Sequence, residues 1–155
     1  RLCAIYYKFR LPADLAMLFL AGTLFVSGEA VIRLLYDSRY LGAGPIMEVL
    51  ALALVAERYQ LTTQCYIALG KPAILVLTNV ARLCSLGLMP IGFWLYQFEG
   101  VIWAIALRPF LALPIIFHFK RKYRLLEWRR ELLVLPALAV GAGAGWLLAG
   151  FLGRF

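Results

Sequence analysis

Residues 15–36 read LAMLFLAGTLFVSGEAVIRLLY, a run whose two charges, Glu29 and Arg33, both fall near its end. A helix rises 1.5 Å per residue, so about 20 apolar residues cross the roughly 30 Å of hydrocarbon in a bilayer. The run is long enough to do so. It is rich in Leu and Ala and does not alternate with a period of two, which excludes a membrane barrel strand. Pro12 and Asp14 stand before it as start signals. Four further runs of similar length follow at 45–69, 72–96, 101–119 and 132–152. The expected fold is all-α: a polytopic membrane helix bundle of about five transmembrane helices.

Composition points the same way. Of 155 residues, 64% are hydrophobic and 15% charged, and the mean hydropathy is +0.85. A soluble domain of this size buries only about 70% of its surface and could not hide so much apolar material. The net charge of +8 is carried mainly between the apolar runs. It therefore reads as loop charge that sets membrane orientation, and nucleic acid is not an expected partner. The segment 1–14, the turn at Lys71 and the connection 120–131 hold ten Lys and Arg, whereas the loops and tail of the other side hold Arg39 and Arg154. By the positive-inside rule the ten face the cytoplasm.

The expected organisation is a cytoplasmic basic segment at 1–14, four membrane helices within 15–119, a cytoplasmic basic interfacial linker at 120–131 and a final helix within 132–155. The opening at Arg1, inside a basic and aromatic stretch, reads as the C-terminal piece of a longer polytopic protein. Cys3, Cys65 and Cys84 have no CxxC spacing, and the latter two read as small buried hydrophobes.

Charges inside the apolar runs are the candidates for function. An Arg at a helix centre costs about 2.5–3.5 kcal/mol on insertion scales, so Arg33, Arg58, Arg82 and Arg108 together oppose insertion by up to about 10–14 kcal/mol. Each needs a partner or an aqueous cavity. Glu29 and Arg33, four apart, are expected to form a structural ion pair. Glu57, Arg58 and Gln64 make the second helix the most polar, and Thr78, Asn79, Arg82 and Ser85 mark the third. These side chains either bond between helices or line a cavity. Arg108, beside Pro109, either satisfies a freed carbonyl or faces that cavity. The excess of buried Arg over Glu29 and Glu57 suits an anionic substrate. With one His and two Asp in the chain, no metal site, cofactor or nucleophilic triad can be assembled, so enzymatic chemistry is not expected. Gly141 and Gly145 form a GxxxG that fits close packing against a neighbouring helix.

Several short patterns resemble those of bacterial oligosaccharide flippases of polysaccharide biosynthesis, in the multidrug/oligosaccharidyl-lipid/polysaccharide exporter superfamily. Leu34-Leu35-Tyr36-Asp37-Ser38-Arg39-Tyr40 with Ala43-Gly44 is similar to an outer junction of that family. Ala68-Leu69-Gly70-Lys71-Pro72 is similar to an inner turn, and Asn79 with Arg82 to an N-x-x-R pattern. Gly92-Phe93, Gly100-Val101-Ile102-Trp103-Ala104 and Arg130-Glu131-Leu132 continue the resemblance, which extends over about 28–146. It implies a two-lobed bundle around a central cavity, with this chain in the C-terminal lobe and an N-terminal lobe upstream. It also implies transport of undecaprenyl-diphosphate-linked sugars (O-antigen or exopolysaccharide units) across the inner membrane, with the lipid-linked oligosaccharide and membrane lipids as partners. Arg58, Arg82, Arg108, Glu57, Gln64 and Asn79 are then the cavity candidates. A drug/cation antiporter of the same superfamily is the nearest alternative, but it would want acidic groups at midplane. A membrane enzyme of polysaccharide assembly would want large loops with His or Asp clusters. A helical anchor would leave the midplane charges without a purpose.

Overall fold

A computed structural model describes residues 2–68, 70–123 and 128–152, and these form helices joined by short turns, with no strand among them. In chain order the helices are α1 (Leu2–Leu35), α2 (Ala43–Glu57), α3 (Gln60–Ala68), α4 (Pro72–Cys84), α5 (Leu88–Leu111), α6 (Leu113–Lys122), α7 (Trp128–Leu133) and α8 (Leu135–Leu152). Three stretches are long and apolar enough to cross a membrane: Arg10–Leu35, Pro72–Lys122 and Glu131–Leu152, each holding 18 consecutive residues with a mean hydropathy of 2.0. Only 33%, 33% and 17% of the apolar windows of these stretches are buried within the chain, so most of the apolar surface needs an apolar surrounding. The chain is a membrane-spanning helical protein.

α1 begins well before the expected start near residue 15 and runs through Pro12. The reason lies one turn earlier. Arg10 Nε is 3.1 Å from Asp14 Oδ2, a pair that exists only if the helix already includes Arg10. Pro12 removes one backbone donor, a loss a membrane helix tolerates when neighbours cover the freed carbonyl.

The 51 residues of Pro72–Lys122 would span about 77 Å as one straight helix, far more than a bilayer. They do not run straight. Tyr96 (φ −134°, ψ 19°) and Gln97 (φ 51°, ψ −130°) leave helical geometry inside α5. Beyond them the backbone doubles back so closely that a Cβ on Gly92 would lie 2.5 Å from the Gly100 carbonyl oxygen. Eight residues apart on a straight helix, those two glycines would be about 12 Å from each other. The second apolar run is also divided: α2 stops at Glu57 and α3 starts at Gln60. α3 closes at Gly70 (φ +69°), where the Gly70 N–H donates to the Ile67 carbonyl and the Lys71 N–H to that of Tyr66. This is a Schellman cap, and Pro72 behind it starts the next helix.

α1 and α8 lie side by side and parallel. Gly141 packs against the Phe19 backbone, and a Cβ on Gly145 would fall 2.6 Å from the Thr23 carbonyl oxygen. The Thr23 hydroxyl bridges the helices by donating to the Gly141 carbonyl at 3.1 Å. The GxxxG therefore packs within the chain. α1 meets α2 at the other end, with Gly44 against Glu29 and Gly28 against the Glu48 side chain.

Two expectations about small polar side chains need correction. The Thr78 and Ser85 hydroxyls donate to the carbonyls of Leu75 and Arg82 on their own stretch, and not to another helix. Cys84 is exposed and Cys65 half-buried, because an apolar run facing lipid is not covered by protein.

Candidate functional site

The ends of α1, α2, α6 and α7 that carry most of the Lys and Arg converge on one buried cluster: Arg10, Asp14, Arg58, Tyr59, Lys120 and Glu131. None is more than 6% exposed. Glu131 is the hub. Its Oε1 accepts from Arg10 Nη1 at 2.7 Å and from Lys120 Nζ, and its Oε2 accepts from Arg10 Nη2 at 3.3 Å and the Tyr59 hydroxyl at 3.1 Å. Arg58 Nη2 donates to the Tyr59 oxygen at 2.7 Å and lies 3.6 Å from Glu131 Oε2. The chain tightens between α2 and α3, where the Arg58 N–H donates to the Leu54 carbonyl and the Tyr59 N–H to that of Ala56, and from this turn both side chains reach the cluster.

The Tyr59 ring is the other shared surface. Arg58, Arg10 and Lys120 place their charged groups 4.7, 4.8 and 5.1 Å from its centroid, within cation–π range. Ala112 and Ile116 pack against Tyr59, and Phe117 meets it edge-on at 5.2 Å between centroids. An apolar layer thus seals the cluster. Three cations face two carboxylates, leaving an excess of one positive charge. Arg58 Nε and Nη1 are buried without a hydrogen-bond partner among the described residues, as is Asp14 Oδ1.

A buried charge left without its partner costs about 3–5 kcal/mol, so the cluster couples the positions of four chain segments. Both oxygens of Glu131 are occupied by donors, which leaves it no free lone pair facing a substrate proton. The geometry is that of a clamp.

The other residues singled out by the sequence lie elsewhere. Arg82 Nη2 is 4.0 Å from Glu57 Oε2, and Glu57 also accepts from Gln60 Nε2 at 2.5 Å. This pair joins α4 to the end of α2, one residue from Arg58. Arg108 is half-buried and has no ion-pair partner among the described residues; Asn79 is exposed. Gln64 lies in α3, but its side chain is outside the described residues. Glu29 and Arg33 form the expected pair, Oε1 to Nη2 at 2.6 Å, with both side chains at least half exposed. Near this pair, Glu48 of α2 accepts the Glu29 backbone N–H at 3.1 Å. Among the described residues no three His, Cys, Asp or Glu side chains are grouped as a metal would require.

Sequence reasoning brought out Arg58 and missed the other five members of the cluster. Arg10 and Lys120 read as topology charges, and Glu131 as the end of a basic linker. The Arg10–Asp14 spacing was the available signal, because a pair four apart on the edge of an apolar run shares one helix face.

Comparison of the chain with protein-family models, curated proteins and solved structures finds no match.

Proposed function

We propose that this chain is part of a flippase that carries an undecaprenyl-diphosphate-linked oligosaccharide across a bacterial inner membrane, by conformational change and without enzymatic catalysis. In this reading the chain crosses the bilayer five times. The reversal at Tyr96–Gln97 divides Pro72–Lys122 into two crossings, and α2 with α3 forms another. The end bearing the ionic cluster faces the cytoplasm. The lobes of the complete protein rock about a midplane site, as in transporters built from repeated bundles.

The observation that supports this reading best is Arg82. It stands within an apolar helix and has one long contact to Glu57, a carboxylate already engaged by Gln60. Arg108 adds a second cation on a neighbouring helix. A diphosphate is a partner that both guanidinium groups match in charge and geometry. Arg58 is the weaker candidate of the three, since Tyr59 and Glu131 already hold it.

Complementation of a flippase-null strain tests the reading, using the full-length protein with Arg82 and Arg108 changed to Lys or Gln and abundance matched by immunoblot. Loss of one charge-assisted hydrogen bond in the Gln variants lowers export by about tenfold or more. The Lys variants keep part of it. Normal export from both Gln variants would remove these arginines from the transport path, and failure of the wild-type protein to complement would remove the flippase reading itself.

A further inference from the structure

Between the start of α4 and the end of α6 runs a groove of about 470 Å³. This is within the usual range for sites that hold small molecules. Lys71 stands in its lining, with Nζ 5.7 Å from the Tyr123 ring centroid. Ile74, Leu77 and Phe119 supply an apolar wall. Leu77 is 46% exposed and continues into the exposed Val76 and Val80, so the groove opens onto the apolar face of α4. Among the described residues no acidic side chain lines it. Arg121 and Lys122, both exposed, line a second cavity with His118 on the same last turns of α6. Behind the wall Tyr66 is fully buried against Ile74, Phe119 and Tyr123, and its hydroxyl has no hydrogen-bond partner among the described residues.

We infer that this groove holds an anionic phospholipid of the leaflet at the basic end, with its phosphate on Lys71 and an acyl chain along Ile74, Leu77 and Phe119. The two chemistries are side by side and in the right order. The ammonium belongs at headgroup depth, and the apolar wall leads from it toward the hydrocarbon. A soluble anion would gain only the first contact. A zwitterionic lipid would gain the second, but its own cation would oppose Lys71. Arg121 and Lys122 raise the local positive potential and favour a net negative headgroup. The inference rests on the chain spanning a bilayer and is independent of the transported substrate.

The test uses purified full-length protein in detergent, titrated separately with dioleoylphosphatidylglycerol, dioleoylphosphatidylcholine and inorganic phosphate. Bound lipid is counted by native mass spectrometry, and thermal stability is followed in parallel. Phosphatidylglycerol is expected to bind and raise the melting temperature at concentrations where phosphatidylcholine does neither and phosphate has no effect. Lys71→Gln is expected to weaken phosphatidylglycerol binding about fivefold. Leu77→Trp, which fills the groove from an exposed position, is expected to abolish it. Arg39→Gln, at the far end, is expected to leave it unchanged. Equal binding of the two lipids, reproduction of the effect by phosphate alone, or wild-type binding by both Lys71→Gln and Leu77→Trp would each overturn the inference. A protein that binds phosphatidylglycerol in this way but fails to export glycan would leave it standing while removing the proposed transport function.

Discussion

Glu131 accepts from Arg10, Lys120 and Tyr59 and stands 3.6 Å from Arg58, so its charge is shared by residues from three other segments. Glu131→Gln keeps the shape and removes that charge, leaving Asp14 to balance three buried cations. The expected cost is about 3–5 kcal/mol, read as a clearly lower midpoint of thermal aggregation for the detergent-solubilised protein. Lys8→Gln, at an exposed position of the same end, serves as the control. An unchanged midpoint for Glu131→Gln would mean that the cluster does not hold the helices together. The cost of Arg58 was legible from its place inside an apolar run. Its partner was not, because Glu131 lies 73 residues later at the edge of a basic linker, where a carboxylate normally has water. Contact at that range is decided by how helices pack, which no local spacing reveals.

Gln97 is the described non-glycine residue with positive φ, at 51°, and it sits where α5 reverses. That backbone region costs a residue with a Cβ about 1–3 kcal/mol. Gln97→Gly is therefore expected to raise thermal stability or leave it unchanged, while Gln97→Val lowers it, since a β-branched side chain suits that conformation least. If Gln97→Val proves as stable as the wild type, residues 96–97 do not adopt this reversal. At this scale the all-helical class was readable, whereas three stretches and not five stand out as long and apolar enough to cross a membrane. Gly70 marked the end of α3, and Gly141 with Gly145 marked a close helix contact. What escaped was the break between Glu57 and Gln60. Nothing in that stretch is a Gly or Pro, and the break is favoured by contacts that Arg58 and Tyr59 make with distant residues.

The parallel pairing of α1 with α8, and the meeting of Arg10, Arg58, Lys120 and Glu131, place the basic segments at one end of the molecule. In the orientation proposed above, the ten-to-two distribution of Lys and Arg puts that end in the cytoplasm. Single cysteines introduced into a protein with its three native cysteines replaced test this. Ser38→Cys and Gln97→Cys are expected to react with an impermeant maleimide in sealed cells, and Tyr123→Cys only after lysis. Labelling of the Tyr123 position from outside would reverse the orientation. The clamp also has a bearing on how the protein is made. Glu131 is the last member of the cluster to leave the ribosome. Until it arrives, Arg10, Arg58 and Lys120 share only Asp14, and α1 has no α8 to cover the face that carries Phe19, Gly22 and Thr23. A nascent chain arrested before that residue thus exposes unbalanced charge and bare helix surface together, the kind of defect that membrane quality-control proteases act on. The arrival of Glu131 cuts that imbalance to a single positive charge, and α8, which follows at once, covers the bare surface of α1, so both defects are relieved within one short stretch of synthesis.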